Sequence, residues 1–144
     1  MTKVSAILAE KNIKNIISVE PTTTVIDALA TMKQYNIGVV VVIENDELVG
    51  IFSERDYARK GILEGRKAKS TTISEIMTPK VFTVTENMTV RDCMEIMSEK
   101  KFRHLPVLNE DKKVIGVLSV GDIVTNLIKE QRLHINFLES YISS

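Results

Sequence analysis

The chain has 144 residues, 44% of them hydrophobic, with 19 basic residues balancing 19 acidic ones. Those values suit one compact domain, or two half-size units sharing a core, and exclude a disordered tail. They leave no surplus positive charge for nucleic acid or an anionic membrane, and the longest apolar run, residues 37–43, is far short of the roughly 20 residues that cross a bilayer.

Taken in chain order, residues 2–11 predict a short amphipathic helix with Val4, Ile7 and Leu8 on one face. Glu10, Lys11 and Lys14 interrupt it, so it lacks the apolar core of a signal peptide, and a reducing, cytoplasmic setting is expected. A strand is predicted at 16–19, followed by a polar turn at 20–23. Thr24 then caps a helix, with Asp27 three residues on completing a capping box, and Val25, Ala28, Leu29 and Met32 recur at helical spacing. Strands at 38–43 and 48–52 flank the acidic turn 44–47, and a second helix starts at Ser53. Residues 61–74, with Gly61, Gly65, Arg66, Lys67 and Lys69, read as an exposed basic connector.

The same series then returns: a strand at 81–84, a turn at 85–88, and a helix capped by Thr89 and Asp92 that carries Val90, Cys93, Met94 and Met97. Strands follow at 104–108 and 114–118, and a helix begins at Ser119. A single cysteine excludes an internal disulfide or a cysteine-cluster metal site, and Cys93 on an apolar helix face is expected to be buried and inert. The terminal helix, 122–142, carries Ile123, Leu127, Ile128, Leu133, Phe137, Leu138 and Ile142, more apolar residues than a lone surface helix needs. A partner surface is expected there, with a break in the helix near 132–134.

The return is a duplication. A shift of 65 residues lays Val19 on Val84, Thr24 on Thr89, Val25 on Val90, Asp27 on Asp92, Met32 on Met97 and Val42 on Val107. One extra residue in the 109–113 turn makes the shift 66, which lays Gly50 on Gly116, Ser53 on Ser119 and Asp56 on Asp122. The expected fold is α+β, two β-α-β-β-α repeats at 12–64 and 75–128 with a C-terminal helical extension at 129–144.

The segments that could carry chemistry are Gly50-Ile51-Phe52-Ser53-Glu54-Arg55-Asp56 and Gly116-Val117-Leu118-Ser119-Val120-Gly121-Asp122. Serine at a helix start with aspartate three residues later is a capping box. The same geometry offers free N–H groups and a hydroxyl to a phosphate, and a carboxylate to a ribose diol. Both readings stand, and the occurrence of the pair at equivalent places favours a site.

These segments, together with the T-V-x-D-A-h-x-x-M helix pattern and Phe102-Arg103-His104-Leu105-Pro106-Val107, resemble the CBS domain, and the tandem pair resembles stand-alone bacterial two-CBS proteins, over about residues 12–128. The resemblance implies a Bateman module: two repeats packed sheet to sheet about a pseudo-twofold axis, with two clefts for an adenosine ligand such as AMP, ADP, ATP, NAD or S-adenosylmethionine. It also implies a homodimer and an output passed to a separate effector protein. One cleft would use Asp122 for the ribose and Ser119 for a phosphate, with Arg103 and His104 nearby and Ile16, Ile17, Ser18, Ile37, Gly38 and Val39 around the base. The other would use Asp56 and Ser53, with Thr78, Lys80, Val81, Phe82, Phe102, Arg103 and His104. Arg55, Arg59, Lys60 and Lys80 make the Asp56 side the more basic, either for a polyphosphate or as a solvated face.

The sequence offers no nucleophile with a base and an orienting group, no Gly-rich phosphate loop and no metal-spaced ligand set, so no enzyme is expected. The alternative to a ligand sensor is a ligand-independent homodimeric scaffold with empty clefts.

Overall fold

The computed structural model describes residues 2–11 and 16–143; residues 12–15, where the first repeat was expected to begin, lie outside the described residues. Each repeat forms a three-stranded sheet. In the first, β1 (Ser18–Val19) runs parallel to β2 (Val39–Glu44), which pairs antiparallel with β3 (Glu47–Ser53). In the second, β4 (Val84–Thr85), β5 (His104–Leu108) and β6 (Val114–Ser119) repeat that order. Even the irregularity is repeated, with the register slipping after Val42 in one sheet and after Val107 in the other. Both lead strands are shorter than the predicted 16–19 and 81–84, because only two residues of each find a parallel partner.

The helices are α1 (Val4–Glu10), α2 (Val25–Tyr35), α3 (Glu54–Asp56), α4 (Ile73–Ile76), α5 (Val90–Lys100) and α6 (Val120–Ser143). Thr89 and Asp92 form the full predicted capping box at α5, whereas Thr24 makes only half of one, accepting from the Asp27 N–H at 3.3 Å. The helix after Ser53 is not a regular α-helix. It passes from α3 into a π turn (Tyr57–Gly61) and a 3-10 turn (Ile62–Glu64), which ends on Gly65 at φ 75°. By contrast α6 runs unbroken through 132–134, where no glycine or proline interrupts the backbone ladder.

The segment expected to be a basic connector is partly core. Gly61, Thr71 and Ile73 are buried, and Ile73 and Ile76 of α4 pack among Val25, Met32, Val40 and Phe52 of the first repeat. The second repeat obtains its counterpart from the other end of the chain: Val4 and Ile7 of α1 pack among Val84, Val90, Leu105 and Leu118. Backbone bonds follow the same reciprocity. The Val4 N–H donates to the Met88 carbonyl at 2.9 Å and the Val90 N–H to that of Thr2 at 2.9 Å; the Ile73 N–H donates to Thr23 and the Val25 N–H to Thr71, both at 2.8 Å. Each repeat is therefore completed by the helix that precedes its sister. Such a two-way exchange is what an approximate twofold axis produces.

The exchange also explains the motif glycines. A Cβ on Gly116 would lie 2.7 Å from Leu8 Cδ2, and one on Gly50 would lie 2.5 Å from Met77 Sδ and 3.0 Å from the Thr78 carbonyl oxygen. A side chain at Gly50 would press on the Thr78 backbone, and one at Gly116 would have to displace the Leu8 side chain.

Two clefts between the repeats

Along β2, Val40 and Val42 enter the first core, so Val39 and Val41 occupy the opposite face. On β5, Leu105 and Val107 enter the second core, leaving His104 and Pro106 on the other face. Where the two sheets meet, Gly38, Val39 and His104 form a wall shared by two clefts of about 330 Å³ and 370 Å³. Register sets the site serines beside that wall, Ser53 pairing with Val39 and Ser119 with His104.

Of the residues named for the first cleft, Ile16, Ile17, Ile37, Gly38, Val39, His104 and Ser119 line it. Ser18, Arg103 and Asp122 are not among its lining residues; Arg103 lines the second cleft instead. Asp122 stands behind Ser119: the Ser119 N–H donates to Asp122 Oδ2 at 2.8 Å, and the Asp122 N–H donates to Ser119 Oγ at 3.0 Å. A residue that the sequence reading missed completes the arrangement. Lys11 Nζ donates to Asp122 Oδ2 at 2.9 Å and to the Val117 carbonyl at 2.7 Å, bringing an ammonium from the end of α1 into the cleft.

The second cleft gathers Ser53, Arg55, Asp56, Thr78, Lys80, Val81, Phe82, Phe102, Arg103 and His104, and adds Glu54 and Lys101; Arg59 is not among its lining residues. Asp56 Oδ2 accepts from the Ser53 N–H at 3.0 Å and from Ser53 Oγ at 3.1 Å. Its Oδ1 accepts from Thr78 Oγ1 at 3.3 Å and lies 3.4 Å from Lys60 Nζ. Phe82 and Phe102 stand 6.4 Å apart, with the Lys100 ammonium 5.2 Å from the Phe82 ring centre. The equivalent positions in the first cleft are Ile17 and Ile37. The clefts thus share a plan and differ in surface: one is aliphatic with a single lysine, the other aromatic with Arg55, Lys80, Lys101 and Arg103.

His104 is shifted below the ordinary histidine range, chiefly by burial and next by the Lys11 ammonium, with Arg103 adding to this and Asp122 opposing it. The unfolded chain therefore takes up a proton near pH 6.5 before the folded chain does, so stability is lost as pH falls below about 6.5 and is unaffected by this group above it. Urea unfolding between pH 7.5 and 5.5 is expected to show a smaller loss on acidification in His104→Gln than in the parent chain. An unchanged loss would assign the acid sensitivity elsewhere. Cys93 is buried, its thiol pushed up to about 11 mainly by that burial, as suits an inert core residue. Among the described residues no helix is long and apolar enough to cross a membrane, and no group of histidine, cysteine, aspartate and glutamate could hold a metal ion.

The profile of the CBS domain matches residues 4–61 and 73–129. The chain is 43% identical over 124 residues to the CBS domain-containing protein CBSX3, mitochondrial, of Arabidopsis thaliana, covering 83% of this chain and 60% of that protein's length. Among solved structures, a protein with CBS domains from Burkholderia ambifaria MC40-6 superposes with a TM-score of 0.85 at 41% identity, covering 90% of this chain and 96% of the other. CBSX2 of Arabidopsis thaliana, solved in complex with AMP, superposes with a TM-score of 0.74 at 26% identity, covering 91% and 99%.

Proposed function

The chain belongs to the CBS domain family, and from that premise we propose that it is a non-catalytic regulatory module that binds adenosine nucleotides in the two clefts between its repeats. The observation that carries this reading is the doubled arrangement itself. Each cleft sets a serine hydroxyl at a helix start opposite an apolar slot supplied by the other repeat, with Asp56 lining the second cleft and Asp122 bonded behind Ser119 at the first. Clefts of 330 and 370 Å³ fall within the roughly 300–1,000 Å³ usual for small-molecule sites. The AMP complex of CBSX2, a protein of the same fold, supports the ligand class.

In this proposal Asp122 and Asp56 accept from a ribose diol, and Ser119 and Ser53 donate to phosphate. Ile16, Ile17 and Ile37 enclose the base in the first cleft, while Phe82 and Phe102 flank it in the second. The four basic residues lining the second cleft suit ADP, ATP or NAD, whose phosphates need charge-assisted donors. The first, with Lys11 already paired to Asp122, suits AMP. A ligand held by both repeats favours one of their mutual orientations, and shifts the module by no more than its difference in affinity for the two. The module acts as a homodimer and transmits that shift to a separate effector protein.

Calorimetry with AMP, ATP, NAD and S-adenosylmethionine tests the reading. Hydrogen bonds to a charged group contribute about 1.5–3 kcal/mol. Asp122→Ala is accordingly expected to weaken AMP binding roughly 10- to 100-fold, and Asp56→Ala to weaken ATP binding by as much. Each change also removes a capping contact that contributes about 1 kcal/mol, so thermal unfolding must show that the variants remain folded. If no adenosine compound binds at millimolar concentration, the nucleotide reading fails and the scaffold alternative replaces it. If binding survives both substitutions, the ribose assignment fails.

A further inference from the structure

Helix α6 leaves the body of the protein with its outer face uncovered. Ile123 is buried and Leu127 packs on the second core, while Lys129 pairs with Glu10 at 2.9 Å and Glu130 accepts from Thr2 Oγ1, so these residues turn toward the chain's own α1 and sheet. On another face Val124, Ile128, Gln131, Ile135, Leu138 and Ile142 form one stripe at alternating spacings of four and three residues, the spacing of a helix–helix seam. Its apolar members are 44% to 81% exposed.

The stripe is symmetric about Gln131. Apolar residues stand three, seven and eleven places before it at Ile128, Val124 and Val120, and four, seven and eleven places after it at Ile135, Leu138 and Ile142. We propose that α6 pairs antiparallel with α6 of a second copy of this chain, with the twofold axis passing beside Gln131. The proposal rests on the homodimer reading above and supplies its surface. In this register Ile128 meets the second copy's Ile135, Val124 its Leu138 and Val120 its Ile142. Gln131 meets its own copy, and an amide side chain supplies both the donor and the acceptor that such a self-contact needs.

Two further observations favour a second copy over another occupant. The 24-residue helix is about 36 Å long and about 10 Å wide, a strip of roughly 360 Å² in projection, whereas stable interfaces take about 800 Å² per partner. Antiparallel pairing supplies the remainder, because it delivers the distal end of one α6 onto a groove of about 560 Å³ between α5 and α6 of the other, floored by Met94, Met97, Phe102 and Val120. The charges also match. The groove is bordered by Arg55, Lys101 and Arg103, while residues 133–144 carry Glu139, no lysine or arginine, and the negative end of the helix dipole.

The full chain is expected to sediment as a dimer. The double substitution Ile135→Glu and Leu138→Glu is expected to weaken dimerisation tenfold or more, with helix content and nucleotide binding retained. Gln131→Cys is expected to cross-link to itself under mild oxidation, while Ser140→Cys on the far side of the helix does not; Cys93 is buried and silent in both. The cysteine pair carries the test even if the glutamate variant fails to fold. A dimer that survives the double substitution would remove α6 from the interface and leave the homodimer reading standing. A monomeric parent chain would overturn both, and cross-linking through Ser140→Cys rather than Gln131→Cys would overturn the register.

Discussion

Ile7→Ala is expected to destabilise the second repeat by about 2–5 kcal/mol, although Ile7 precedes the first repeat in the chain. Ile7 is 5% exposed and belongs to the core built on Val84, Val90, Leu105 and Leu118. Removing its three outer carbons forfeits their transfer out of water and leaves a cavity that those rigid neighbours fill only in part. Native-state hydrogen exchange reads the location of the effect. Amides of β4–β6 and α5 should exchange faster, while those of β1–β3 and α2 keep their protection. The reverse distribution would contradict the exchange of α1 onto the second sheet. Loosening α1 also loosens Lys11 at its end, so the first cleft should change its ligand affinity while the second does not.

Ile76→Ala is the mirror experiment and is expected to cost a similar ~2–5 kcal/mol, now in the first repeat. Ile76 is 1% exposed, in a core with Val25, Met32, Val40 and Phe52. Two residues later Thr78 exchanges backbone hydrogen bonds with Ile51 at 2.8 and 3.0 Å, and its hydroxyl reaches Asp56. Protection should fall in β1–β3 and α2, with affinity lost from the second cleft. Equal loosening of both repeats by both substitutions would mean one indivisible core, contrary to two cores joined by exchanged helices.

Much of this was legible in the sequence, because the signals were local or doubled. Val25, Ala28 and Met32, and Val90, Cys93 and Met97, announce buried helix faces by spacing alone, and all six are buried. The serine–aspartate pairs mark helix starts through short-range capping chemistry, and both are present. The exchange of lead helices was harder to see because it is carried at another register. Thr2, Val4, Ser5, Ile7 and Lys11 match Thr71, Ile73, Ser74, Ile76 and Lys80 at a shift of 69, not 65. The difference is the four extra residues 12–15, which have no counterpart between Lys80 and Val81. Following that third register would have pointed to Lys11 as the counterpart of Lys80. It would also have moved Ile73 out of the connector and Ile76 out of the second repeat. No periodicity reveals which sheet a four-residue helix will cover, since that depends on contacts between residues about 50 to 110 places apart.

The exchanged helices also impose a timetable on synthesis. α1 leaves the ribosome well before the sheet it covers, which is complete only when β6 has followed, roughly 110 residues later. At about 5–20 residues per second, Val4, Ile7 and Leu8 spend about 6–20 s without their native partners. Meanwhile the first repeat, whose core and sheet bonds reach no further than Thr78, can close around α4. The nascent chain therefore presents a finished half trailing a short apolar tag, a species suited to recognition by a chaperone and exposed to pairing with a neighbouring nascent copy. Placing α1 after β6 in a rearranged chain would shorten that interval while keeping Val4 and Ile7 against the same sheet.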